Sequence, residues 1–120
     1  MEIMQAQMQE KVEKLQGLQK TQQKTLMARQ TLDSQISENK LVKDELDGLE
    51  EDAKVFKLIG PALIRQENSD AKQNVNKRID YISGELKRHD ETLADLDKKQ
   101  DELREELQTI QTQMQKLAQA

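Results

Sequence analysis

From Val75 onward, apolar side chains return at alternating steps of four and three residues. The series runs Val75, Ile79, Ile82, Leu86, His89, Leu93, Leu96, Gln100, Leu103, Leu107, Ile110, Met114 and Leu117. Eleven of these thirteen positions are apolar, and Lys, Glu, Asp, Gln and Arg fill most of the spaces between them. This is the a/d pattern of a coiled coil, a stripe so narrow that another helix must cover it. Such a helix leaves no room for an enzyme pocket. Function is therefore expected from shape, ends and partners.

The first half carries a weaker version of the same pattern. Leu18, Thr25, Leu32, Asn39, Leu46 and Ala53 recur every seven residues, with Met8, Leu15, Gln22, Arg29 and Ile36 on the neighbouring track. Gln22, Thr25, Arg29 and Asn39 interrupt it, and Val42, Leu46, Leu49 and Ala53 suggest a local phase shift. The pattern predicts a helix over about residues 5–53. Asn68-Ser69-Asp70 supplies an N-cap and an acidic first turn for a second helix over about 69–117. Gly17, Gly48 and Gly84 fall inside these helices, where each costs about 1 kcal/mol relative to Ala.

Between the helices stands the strongest punctuation in the chain, Gly60-Pro61, with the sole proline. The flanking residues are β-branched and aliphatic, so two strands over about 54–59 and 62–66 are expected. Gly followed by Pro suits a type II′ turn, since Gly tolerates positive φ and Pro holds φ near -65°. A helix–loop–helix corner is the alternative. A hairpin between helices of nearly equal length folds the second back along the first as an antiparallel coiled coil, each helix about 75 Å long at 1.5 Å per residue. The fold class expected is mainly α: one domain over 1–120, with a coiled-coil helix over 1–53, a β-hairpin region over 54–68 and a second helix over 69–120.

A lone two-stranded hairpin is marginal in water, and both of its edges invite another strand. Val55, Phe56, Leu58, Ile59, Leu63 and Ile64 cannot all be covered by two helices already paired with each other. Hairpins from several chains are expected to join in a shared sheet or barrel through these residues. At the other end, Met1, Ile3, Met4 and Met8 start the first helix, and Met114, Leu117, Ala118 and Ala120 end the second. In the antiparallel arrangement they cluster, and flexible Met side chains adapt to variable apolar surfaces. Ordinary seam packing is the competing reading for the methionines.

Composition narrows the choice further. Phe56 and Tyr81 are the only aromatics, and charged residues (35%) match hydrophobic ones (34%), a balance suited to long solvated helices. Net charge is -4, divided as -4 over residues 1–53, +2 over 54–68 and -2 over 69–120. A nucleic-acid-binding face is not expected. The absence of cysteine excludes disulfides and thiolate metal sites and fits a reducing compartment. The start lacks a basic region followed by an apolar run, and no stretch is long enough to span a membrane. A cytoplasmic protein is expected.

No phosphate loop, dinucleotide fingerprint or catalytic triad is present, so neither enzyme activity nor a cofactor is expected. His89 lies on the seam, where a polar residue usually sets register. Adjacent acids such as Glu50-Glu51 and Glu105-Glu106 point to different parts of a helix surface and cannot work as an acid–base pair.

The order helix, single hairpin, helix, with apolar ends, resembles a prefoldin subunit. The resemblance is carried by Val55-Phe-Lys-Leu-Ile-Gly-Pro-Ala-Leu-Ile-Arg-Gln66 and by Asn76-Lys-Arg-Ile-Asp-Tyr-Ile82. It covers essentially the whole chain and is most specific at the hairpin. Alpha-class subunits of that family need two hairpins, and the span 54–68 has room for one, which points to the beta class. The resemblance implies a heterohexamer of two alpha-class and four beta-class subunits whose hairpins build a β-barrel carrying six coiled coils. It implies an ATP-independent holdase that captures unfolded proteins, actin and tubulin among them, and passes them to the group II chaperonin. Residues 54–66 would then be the oligomerisation site. Met1, Ile3, Met4, Met8, Met114 and Leu117 would contact clients. A coiled-coil tether without chaperone activity remains the alternative.

Overall fold

The computed structural model describes residues 1–119. Its elements are α1 (Glu2–Asp47), β1 (Val55–Ile59), β2 (Ala62–Gln66) and α2 (Asn68–Gln119). They group into two compact units. One is Arg29–Arg88, and the other combines Met1–Ala28 with the segment that begins at His89.

In the hairpin unit, α1 stops at Asp47, six residues short of the expected 53. The Gly48 amide makes the last helical bond, to the Asp44 carbonyl at 3.1 Å. Leu49 then tightens onto Leu46 at 3.3 Å, and Ala53 closes a turn on Glu50 at 3.0 Å. Two physical causes converge here. Glycine is a poor helix former, and Asp44, Glu45, Asp47, Glu50, Glu51 and Asp52 put negative charge where the helix dipole favours cations, with no basic side chain in the last turn. Gly48 thus lies just past the helix, not inside it.

The chain turns back through β1 and β2, paired antiparallel as Val55↔Gln66, Phe56↔Arg65, Lys57↔Ile64, Leu58↔Leu63 and Ile59↔Ala62. That register leaves a two-residue loop. Gly60 has φ 57°, and no other described residue has positive φ. Positive φ at the first loop position and negative φ at the second is the pattern of a type II′ turn, whose twist matches the strands it joins.

The second helix begins one residue earlier than its cap was expected. The Glu67 carbonyl accepts from the Ala71 amide at 2.9 Å, which makes Glu67 the N-cap. Asn68 therefore sits in the first turn, with its Oδ1 buried and unpaired. Asp70 remains the acidic residue of that turn.

The core of this unit is Leu46, Ala71 and Val75, with Val55 and Ile79 packed against it. Burying side chains of this size contributes about 1.5–3 kcal/mol each. Val55 is therefore the anchor that ties the hairpin to its own helices. Along α1, buried or half-buried positions recur from Met4 to Leu46 at steps of four and three without a break. The expected phase shift near the hairpin is absent: Lys43 takes the seam position, while Val42 and Leu49 are exposed.

In the other unit, Leu96 and Ile110 are buried seam residues of α2, and Lys11 pairs with Glu106. Every α2 seam position from Val75 to Met114 is buried or half-buried, and Leu117 is exposed.

Candidate functional site

Two surfaces carry apolar side chains that the helix pairing does not use. The first is the hairpin. Strand alternation puts Val55, Lys57, Ile59, Ala62, Ile64 and Gln66 on one face, and Phe56, Leu58, Leu63 and Arg65 on the other. Of the six residues expected to join chains, Val55 is half-buried against the core and the other five are exposed. Leu58 and Leu63 face each other across the strands, each 68% exposed. This cross-strand leucine pair is apolar area that no packing within the unit covers.

The sheet has two strands, so one side of each is unpaired. These two sides differ in their surroundings. A groove of about 250 Å³ runs beside β1, lined by Phe56 and Leu58 together with Val42, Leu46, Val75 and Arg78. Val42 was missed by the sequence reading as part of this surface. Its signal was present: an apolar residue off the seam, where Asn39, Lys43 and Leu46 already fill the heptad. Leu41 and Tyr81, also exposed and off the seam, extend the list of apolar residues in this unit that no packing within it explains.

The second surface lies in the unit that contains both chain ends. The six residues expected there divide evenly. Met4, Met8 and Met114 occupy seam positions and are half-buried, which is how a coiled coil uses methionine. Met1, Ile3 and Leu117 are exposed, Ile3 most of all at 76%. Ala118 is exposed too, and Ala120 lies outside the described residues. The expected patch thus has an inner row committed to packing and an outer row open to a partner.

The chemistry of both surfaces is that of contact. Among the described residues, no three His, Cys, Asp or Glu side chains are placed to hold a metal ion. No helix of the described residues is long and apolar enough to cross a membrane. Polar groups with structural work are found instead on the seam. Gln100, 2% exposed, donates from Nε2 to Gln22 Oε1 at 3.0 Å. Gln22 in turn donates to Asp97 Oδ1 at 2.8 Å. The sequence placed both glutamines on seams but did not pair them with each other.

Comparison with known proteins gives one consistent result. The family described as "Prefoldin subunit" matches residues 9–118. The chain is 44% identical over 115 residues to mouse prefoldin subunit 6, covering 96% of this chain and 91% of the relative. It is 45% identical over 108 residues to the probable prefoldin subunit 6 of Drosophila melanogaster, covering 90% and 86%. Its fold matches the crystal structure of the prefoldin beta subunit from Thermococcus strain KS-1 with a TM-score of 0.81, at 23% identity, over 86% of this chain and 90% of that one.

Proposed function

The chain belongs to the prefoldin subunit family, as a beta-class member, and from that premise we propose how its two apolar surfaces divide the work of a co-chaperone. A prefoldin subunit is a non-enzymatic chaperone component that associates with other prefoldin subunits. We infer that Phe56, Leu58, Ile59, Leu63 and Ile64 make that association, with Val55 holding the hairpin in place from below. The observation that carries this reading is the exposure of all five on a sheet of two strands. In this reading the hairpins of two alpha-class and four beta-class subunits complete one barrel and pair the strand sides left open here.

In the unit that holds both chain ends, Met1, Ile3 and Leu117 supply weak apolar contacts to unfolded client proteins, and Met4, Met8 and Met114 support them from the seam. Each contact is small. Several coiled coils held on one platform raise the effective concentration of such contacts and make the capture useful. Holding and release at this surface need no nucleotide, since nothing in the contact chemistry calls for one. The client is then passed to the group II chaperonin, in the cytoplasm.

The test is native mass spectrometry of the complex copurified with this chain, followed by an aggregation assay on a denatured client. A six-subunit complex that suppresses aggregation equally with and without ATP is the expected result. A complex of six that protects nothing would favour a tether instead.

A further inference from the structure

A heptad seam has a weakness: shift one helix by seven residues and its apolar positions meet apolar positions again. In this chain the shifted state has a ready route. The segment between α1 and β1, residues 48–54, is seven residues long, and Leu49, Glu50, Glu51, Ala53 and Lys54 are good helix formers. If they joined α1, the hairpin and α2 would move outward by seven residues, about 10 Å at 1.5 Å per residue. Ala53 would then stand where Leu46 now meets Val75, one heptad on.

We propose that the Gln22–Gln100 layer is the device that rejects this slipped register. In the observed register the two amides share one hydrogen bond, and each is completed by a second partner. Gln100 donates to Gln22 Oε1 and accepts from Arg104 at 3.3 Å, and Gln22 donates to Asp97. After a seven-residue slip Gln22 would stand level with Leu107, and Gln100 level with Arg29. The glutamines would lose each other, and the buried Gln100 amide left without its acceptor costs more than the bond contributes when made. Apolar seam residues cannot discriminate in this way, because they accept any apolar neighbour. Gln100 is the one buried polar residue among those described, so the discrimination is concentrated there.

The register has a consequence at the chain ends. Met8 lies fourteen residues before Gln22, and Met114 fourteen after Gln100, so the layer sets them level with each other. In the slipped state Met114 would instead stand level with Leu15, and the end of α2 would be drawn back from the start of α1. This inference concerns the fold and stands independently of client capture.

The chain has no natural cysteine, so introduced pairs report register directly. Leu15→Cys with Leu107→Cys reads the observed register, and Leu15→Cys with Met114→Cys reads the slipped one. In the full-length chain the first pair should cross-link and the second stay at background. In a Gln22→Leu, Gln100→Leu background, which is more apolar and keeps its helices, the second pair should rise about tenfold, as the loss of a satisfied buried amide pair implies. Glu51→Pro, at the second position of the Glu50–Ala53 turn where proline is favoured, blocks extension of α1. Added to that background it should return the slipped cross-link to background. Slipped cross-linking that stays at background after both glutamines are replaced overturns the proposal, and so does a slipped signal that survives Glu51→Pro.

Discussion

The hairpin unit and the unit holding the chain ends begin from the same material, a narrow apolar stripe on each helix, and leave different remainders. In the hairpin unit the stripe closes over Leu46, Ala71 and Val75, yet large apolar side chains still stand in water on the sheet and beside it. In the other unit the seam consumes its apolar stripe, and the exposed large apolar side chains are scattered, Met1, Ile3 and Leu117 near the ends and Val12, Leu26 and Met27 farther along α1. The lesson is about kinds of partner. Side chains fixed on a strand with unpaired backbone beside them ask for one shape and one register, which suits a permanent neighbour. Side chains near helix ends, with no unpaired strand beside them, ask for nothing so definite, which suits a changing one.

The largest expected effect follows from the first of these surfaces. Replacing Phe56 and Leu58 by Asp should abolish the proposed hexamer, because the two charges would be buried without partners when strands join. Circular dichroism should show helicity mostly retained, since the Leu46–Val75 core is untouched. A variant that still sizes as a hexamer would remove the hairpin as the joint.

Next in size is the core that separates the two behaviours. Leu46→Ala should destabilise the chain by about 2–4 kcal/mol, the usual cost of truncating a buried leucine. Because Val55 leans on this core, strand protection in hydrogen exchange should fall along with thermal stability. Loss of stability with unchanged protection of β1 would mean the hairpin holds itself up.

A smaller and graded effect is expected at the chain ends. Changing Met1, Ile3 and Leu117 together to Ser should leave assembly intact and weaken protection of a denatured client. The defect should be partial while partner subunits keep their own ends. Changing the half-buried Met4, Met8 and Met114 instead should lower the melting temperature as well, which separates the outer row from the inner one.

The finest comparison uses two glycines of opposite meaning. Gly60→Ala should destabilise by about 1–2 kcal/mol, since an L-residue at φ 57° is strained whatever space surrounds it. Gly17→Ala should stabilise by up to about 1 kcal/mol, because the position is inside α1 and an added Cβ meets nothing within 4 Å. Thermal melts of the two variants should therefore move in opposite directions.

Much of this was legible in the chain before any coordinates. The strands were placed to within one residue because Gly60-Pro61 allows few alternatives and β-branched neighbours leave little doubt about the segments it joins. The α2 seam was read position by position, since eleven apolar residues at regular spacing have one helical explanation. The end of α1 was not legible. Gly48 and the acidic run from Asp44 to Asp52 weaken the helix locally, but Leu49, Glu50, Glu51 and Ala53 are good helix formers and Ala53 keeps the heptad. The local signals conflict, and the demand that the chain turn back decides between them. The same holds for Val42, whose place off the seam reads as a phase error until the hairpin lies beside it.

The sequence by itself thus determined two helices and the hairpin between them, because periodicity and turn chemistry are local properties that survive without tertiary contacts. Tertiary structure alone decided that Val55 serves the core while Phe56 and Leu58 do not, since adjacent strand residues look alike until one face meets a helix. It also decided that Gln22 and Gln100 belong to each other. Each reads in one dimension as a flaw in an apolar stripe, and the pair acquires its meaning across a 3.0 Å hydrogen bond between residues 78 positions apart.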